Sequence, residues 1–154
     1  MTTWPGGEDA RGFEIAKDGV GELVVGFDGT DPSIDALAFA AGLARREQAR
    51  LIVAFVAAPS MFSSLAPDPG AWDAIESVAG ELKERAAEGL ADVGVPWRFE
   101  QRRGDVAHEL EDLAERAKAD AIVVGRSSSK VSRLLGSVAA GLLRTSRRPV
   151  IVVP

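Results

Sequence analysis

Glu22-Leu-Val-Val-Gly-Phe27, closed by Asp28-Gly29-Thr30, decides how the rest of the chain is read. A short unbroken apolar run ending in Asp-Gly is a strand buried on both faces followed by a tight turn. Behind it, Ser33 to Glu47 is Ala-rich, with Ile34, Leu37, Ala41 and Ala44 at helical spacing and Pro32-Ser33 where a helix starts. Arg50-Leu-Ile-Val-Ala-Phe-Val56 is a second buried strand. The unit is strand–helix–strand, and it repeats. A Pro- and Ser-bearing loop (57–70) leads to a helix over Ala71–Asp92, then to Trp97-Arg-Phe-Glu-Gln101, which alternates like a half-exposed edge strand. Gly104-Asp105 opens a helix carrying Val106, Leu110, Leu113 and Ala117 on one face. Ala121–Gly125 is the fourth strand, Leu134–Thr145 a helix, and Pro149–Pro154 the last strand. Strands alternating with helices of this length need crossover connections, so a doubly wound α/β layer sandwich with a mostly parallel sheet is expected.

At 154 residues the chain makes one domain. Residues 1–21 are Gly-rich and polar without sustained periodicity and read as a mobile leader, leaving 22–154 as the folded domain. Cys is absent and His108 is the sole histidine, which excludes thiolate nucleophiles, disulfides, Fe–S clusters and His-based metal centres. A formal net charge of -5 argues against a broad nucleic-acid surface, so any anion site must be local. No apolar run reaches the roughly 18–20 residues of a membrane span, and the start has no signal-peptide pattern. A cytoplasmic protein without membrane or nucleic-acid partners is expected.

In a doubly wound sheet, ligands sit beyond the carboxyl ends of the strands where the order reverses. That rule singles out Asp28-Gly29-Thr30, Arg103-Gly104-Asp105 and the stretch from Gly125 to Ser137. The last is the strongest: Ser127, Ser128, Ser129 and Ser132 stand among Arg126, Lys130 and Arg133, and Gly136-Ser137 falls at a helix start, where free N–H groups attract phosphate. The plain alternative is a Ser-rich loop and an ordinary helix cap. The stretch is not a phosphate-binding Walker loop, since no Gly-Lys-Ser/Thr follows Gly125. Asp28 could accept a hydrogen bond from a ligand or simply serve the turn. Asp105 reads as a helix-start acid, and Glu109, Glu111, Asp112 and Glu115 as an exposed helix side. No nucleophile, general base or paired metal carboxylates stand in these segments, so binding is expected rather than turnover.

Val24-Val-Gly-Phe-Asp28-Gly29-Thr30 with the Ala-Leu helix behind it, Arg103-Gly104-Asp105, Ala119–Gly125, Arg133-Leu-Leu-Gly-Ser-Val138 and Arg148-Pro-Val-Ile-Val-Val-Pro154 together resemble the universal stress protein family, in its order and over residues 22–154. The resemblance implies an open five-stranded parallel sheet of order 3-2-1-4-5 with helices on both faces, the Rossmann-like adenine nucleotide alpha hydrolase-like fold. It also implies a homodimer through the last strand, 149–154, and a stress-response role with an unknown protein partner. Many members bind ATP and others do not. Carried onto this chain, the cofactor-binding set is Asp28 near the adenine, Val53 beside the base, Gly125 near ribose and phosphates, and Gly136 and Ser137 on phosphate. One departure stands out. ATP-binding members have a second Gly three residues after the first, where this chain has Ser128. The ten residues between Gly125 and Gly136 are also two fewer than that pattern holds. The shortened loop leaves ATP, another adenine nucleotide or a different anion, held with Ser128, Lys130 and Arg133, as open alternatives, with Mg only alongside a nucleotide. A nucleotide-independent dimeric interaction protein and a weak ATPase or nucleotidyl-transfer enzyme are the other readings.

Overall fold

The computed structural model describes residues 19–59, 69–126 and 136–154. The described elements alternate: β1 (Glu22–Gly26), α1 (Asp31–Glu47), β2 (Arg50–Ala57), α2 (Pro69–Leu90), β3 (Trp97–Arg103), α3 (Val106–Ala117), β4 (Ala121–Gly125), α4 (Ser137–Thr145) and β5 (Val150–Val153). They form one five-stranded sheet, β3-β2-β1-β4-β5, parallel at every pairing. The expected fold class and strand order are therefore those observed.

The central strands are apolar throughout because both faces are covered. Side chains alternate between the faces, so each strand feeds two cores. Leu23, Val25, Leu51, Val53 and Phe55 pack under α1 and α2, with Leu37, Ala41, Leu82 and Leu90. Val24, Ile52, Ala54, Val56 and Val124 pack under α3 and α4, with Leu110, Leu113 and Leu142. Small residues on α1 let its backbone come close to the sheet. At the end of β4, a Cβ on Gly125 would collide with the backbone carbonyl of Pro32, and would stand 2.8 Å from the Pro32 Cβ. Gly125 is required where the first turn of α1 rests on β4.

The two sheet edges differ. β3 carries charges: Arg102 pairs with Asp112 at 3.3 Å, and Arg103 with Glu76 at 3.2 Å. The Arg103 guanidinium also lies 4.1 Å from the Trp72 ring centroid. The hydrogen bond from Arg116 to Asp112, helped by the charge of Arg102, holds the Asp112 carboxyl below the usual carboxylate range. β5 is Val-Ile-Val-Val and half-buried along its length.

Three expectations shift. α1 begins at Asp31 rather than Ser33, because Pro32 fits its first turn and Ser33 is buried, its Oγ donating to the Thr30 carbonyl at 2.8 Å. The domain reaches back before residue 22. Val20 packs on the core beneath α1 and α2, and the backbone N–H groups of Gly21 and Glu22 donate to Asp120 Oδ2 at 2.7 and 3.0 Å. The rest of the expected leader, 1–18, lies outside the described residues, as do 134–135 of the last helix. Glu111 is not on an exposed helix side. Its carboxylate accepts from Ser146 Oγ at 2.6 Å, from the Arg147 backbone at 3.3 Å and from Arg148 at 3.2 Å. Arg148 also donates to the Ala119 carbonyl at 2.9 Å. With side chains 15% and 20% exposed, this Glu111–Arg148 pair ties α3 to the turn into β5.

Two stability measurements check these points. Gly125→Ala forces α1 off β4 and is expected to lower the unfolding free energy by about 2 kcal/mol or more in urea; an unchanged midpoint contradicts the close approach. Glu111→Ala leaves a mostly buried guanidinium unpaired and should cost about 2 kcal/mol, whereas Glu115→Ala on the exposed side should cost under about 0.5 kcal/mol. Equal effects would remove the pair from its structural role.

Candidate functional site

A cleft of about 200 Å³ opens beyond the carboxyl ends of β1, β2 and β4, at the reversal of strand order. Two strand-end glycines line it. Gly26 ends β1 and Gly125 ends β4, so neighbouring central strands finish without side chains. Gly26 faces α3: a Cβ there would lie 3.3 Å from Leu110 Cδ1 and 3.4 Å from Val124 Cγ1. The floor and walls are apolar, from Ala54, Val56, Val106 and Leu110, and the rim is polar, from Asp28, Thr30, Arg126 and Ser137.

Asp28 is held by its own turn. Its Oδ1 accepts from the Thr30 N–H at 3.0 Å and the Thr30 hydroxyl at 2.6 Å, and its backbone N–H donates to Ser33 Oγ at 3.3 Å. Among the described residues Oδ2 takes no protein hydrogen bond, so one exposed carboxylate oxygen is free to accept from a ligand. Across the cleft, α4 begins at Gly136, which is buried and offers no side-chain cap. The Ala140 N–H already bonds the Gly136 carbonyl at 2.9 Å, which leaves the N–H groups of the preceding turn without helical partners. α3 differs: Asp105 caps it by accepting from the His108 N–H at 2.9 Å. Ser137, the first residue of α4, and Arg126 are exposed and line the same cleft, and the backbone N–H of Arg126 is anchored to the Val153 carbonyl at 2.7 Å.

Asp28, Gly125, Gly136 and Ser137 therefore meet in one cleft. Val53 does not join them. It is fully buried on the opposite face, under α1 and α2, because residues of β2 alternate and Ala54 and Val56 take the cleft side. Ser128, Lys130 and Arg133 lie outside the described residues. Ala54, Val56 and Leu110 were not singled out from sequence. The register of β2 against Gly26 (Gly26 opposite Ala54) is the signal that selects the first two. Among the described residues no group of His, Asp or Glu side chains is arranged to hold a metal ion, and no helix is long and apolar enough to cross a membrane.

An apolar slot, a free acceptor at one end, and N–H groups without a partner among the described residues at the other, with a cation on the same cleft, suit a flat heterocycle joined to an anion. At about 200 Å³ the cleft is smaller than the roughly 300–1,000 Å³ of many small-molecule sites.

The model of the universal stress protein family matches residues 20–154. Universal stress protein MJ0531 of Methanocaldococcus jannaschii is 34% identical over 141 residues, covering 86% of this chain and 81% of its own length. Universal stress protein YxiE of Bacillus subtilis is 30% identical over 146 residues, covering 86% of this chain and 97% of its own. Among solved structures, a universal stress protein in complex with cAMP superposes with a TM-score of 0.64 at 31% identity, over 87% of this chain and 96% of that one. UspA from Lactobacillus plantarum superposes with a TM-score of 0.76 over 88% and 98%, and its 24% identity speaks for the fold alone. The parallel 3-2-1-4-5 sheet, the family match over nearly the whole described chain and these relatives place the chain in the universal stress protein family.

Proposed function

We propose that the cleft binds an adenine nucleotide and that the protein works in a stress response as a regulatory binding protein. The observation that carries this reading is the pairing, across one apolar slot, of the free Asp28 oxygen with the uncapped start of α4. A relative 31% identical to this chain forms a complex with cAMP, which supports the same ligand class. In this reading the base lies against Ala54, Val56 and Leu110. Asp28 Oδ2 accepts from an N–H or hydroxyl of the nucleoside. The N–H groups after Gly136, the Ser137 hydroxyl and Arg126 meet the phosphate. Ser128, Lys130 and Arg133 of the shortened loop are further phosphate contacts in the proposal, and any Mg arrives with the nucleotide's phosphates. Binding is the role that the free Asp28 oxygen and the start of α4 support, and Asp28 is the one acid among the described residues that line the cleft. Phosphoryl or nucleotidyl transfer would need a positioned nucleophile or metal carboxylates beside it.

The same chain is proposed to form a homodimer through β5. β3 blunts its edge with ion pairs, while β5 leaves an apolar edge. The two helices that pack on β5 from its two faces, α1 and α4, each carry an exposed apolar side chain. Leu43, Ile151 and Val153 are all partly buried against the core under α1 and α2; Phe39, one turn before Leu43 on α1, is 43% exposed, and Leu143 of α4 is 54% exposed. A dimer that binds no nucleotide is the second reading, and this edge alone favours it.

Two experiments decide. ATP, AMP and cAMP are titrated into the full chain by thermal shift and calorimetry. Saturable binding is expected, and a nucleotide at 100 times its Kd stabilises by about 2.7 kcal/mol. Ser137→Glu puts a negative charge beside the phosphate site at an exposed position and should weaken binding tenfold or more, while the bulk in Gly136→Trp should abolish it. No response to any of the three nucleotides would leave the interaction-only reading. For the dimer, Phe39→Glu with Leu143→Glu should turn a dimer into a monomer in sedimentation. A monomeric parent, or a double variant that stays dimeric, contradicts pairing through β5.

A further inference from the structure

The turn that presents Asp28 is held from two sides. On the cleft side, Oδ1 ties back to Thr30 and the Asp28 N–H to Ser33. On the far side, Gly29 at φ +80 turns its carbonyl toward α2, and Arg85 Nη1 donates to it at 3.2 Å. α2 presses close there: a Cβ on Gly29 would stand 2.7 Å from both Arg85 Nη1 and Leu82 Cδ2. Arg85 does not line the cleft. It lines the groove between α1 and α2, and Phe27, the residue before Asp28, lines both groove and cleft. Among the described residues, the Arg85–Gly29 bond is the one side-chain hydrogen bond from α2 to this turn.

We propose that Arg85 is a positioning residue: by fixing the Gly29 peptide from behind, it sets where the Asp28 carboxylate points into the cleft, an inference that rests on reading that cleft as a nucleotide site. Glycine restrains the peptides beside it least, so the Asp28–Thr30 turn needs an outside tether to keep one conformation. A cation donating to a carbonyl supplies one, and at an exposed position it adds little to global stability. Its effect falls on the turn. A ligand that uses Asp28 binds a pre-ordered acceptor when the tether is present, and must order the turn itself when the tether is gone. Lysine keeps the charge and a donor but not the fork of the guanidinium, so it restores the tether in part.

The test uses the full chain with backbone relaxation by NMR and AMP titration by calorimetry. In Arg85→Met, the order parameters of the Gly29 and Thr30 amides should fall from about 0.85 toward about 0.6, while those of β1 and β2 stay rigid. AMP affinity should fall about fivefold, the loss expected when a ligand must order one turn. Arg85→Lys should lie between the parent and Arg85→Met in both readouts. In an Asp28→Ala background, Arg85→Met should change AMP affinity no further, because its effect passes through Asp28. Unchanged Gly29 and Thr30 order parameters in Arg85→Met overturn the proposal, as does an affinity loss of full size in the Asp28→Ala background. If the parent binds no AMP while the turn still loosens in Arg85→Met, the nucleotide reading falls and the tether stands.

Discussion

The carbonyl of Pro32 rests against the bare Cα of Gly125, and the geometry of the cleft depends on that contact. It lowers the first turn of α1 onto the end of β4. The turn leaving β1 and the chain leaving β4 stand side by side because β1 and β4 pair in parallel. A parallel sheet with both faces covered has few places where backbone can meet a ligand; it does so where the strand order reverses and side chains are missing. Gly26 and Gly125 provide both conditions on adjacent strands, one facing α3 and the other facing α1. Gly125 therefore has a packing role that holds whatever the cleft binds. The Pro32 contact explains this glycine without any appeal to phosphate.

From that contact the rest of the site acquires its parts. Asp28 is presented by a turn fastened in front through Thr30 and Ser33 and behind through Arg85. α4 opens onto the cleft without a side-chain cap, while α3 next to it closes its own start with Asp105. The Glu111–Arg148 pair links α3, whose Val106 and Leu110 wall the cleft, to the turn that launches β5. Cleft and edge strand thus share a scaffold, and their geometry is set by the same packed helices.

Much of the fold is legible in the sequence for a physical reason. Strands buried on both faces are unbroken apolar runs, and helices covering them repeat every three or four residues, so the alternation of elements stands out. The order of strands does not follow from periodicity; it came with the family resemblance. The same double burial hides part of the site. Because Leu51–Ala57 is apolar on both sides, no polar alternation says which residues face the cleft; the resemblance points to Val53, whereas Ala54 and Val56 line it. The strand-end rule and the resemblance point to Asp28, Gly125, Gly136 and Ser137, and all four line the cleft. Glu111 looked solvated because its partners, Ser146 to Arg148, lie more than 30 residues away in sequence. Arg85 likewise sits on an exposed helix face and gains meaning only once α2 is laid beside the Gly29 turn.

The central claim is that the slot between Asp28 and the start of α4 takes an adenine nucleotide. The most direct measurement is amide chemical-shift mapping of the isotope-labelled full chain during titration with AMP. Shifts are expected at Asp28, Ala54, Val56, Gly125 and Ser137 that saturate together with one dissociation constant, while Val53 and its neighbours under α1 and α2 stay still. An unchanged spectrum, or shifts centred on the groove between α1 and α2 and absent from the cleft, would contradict it.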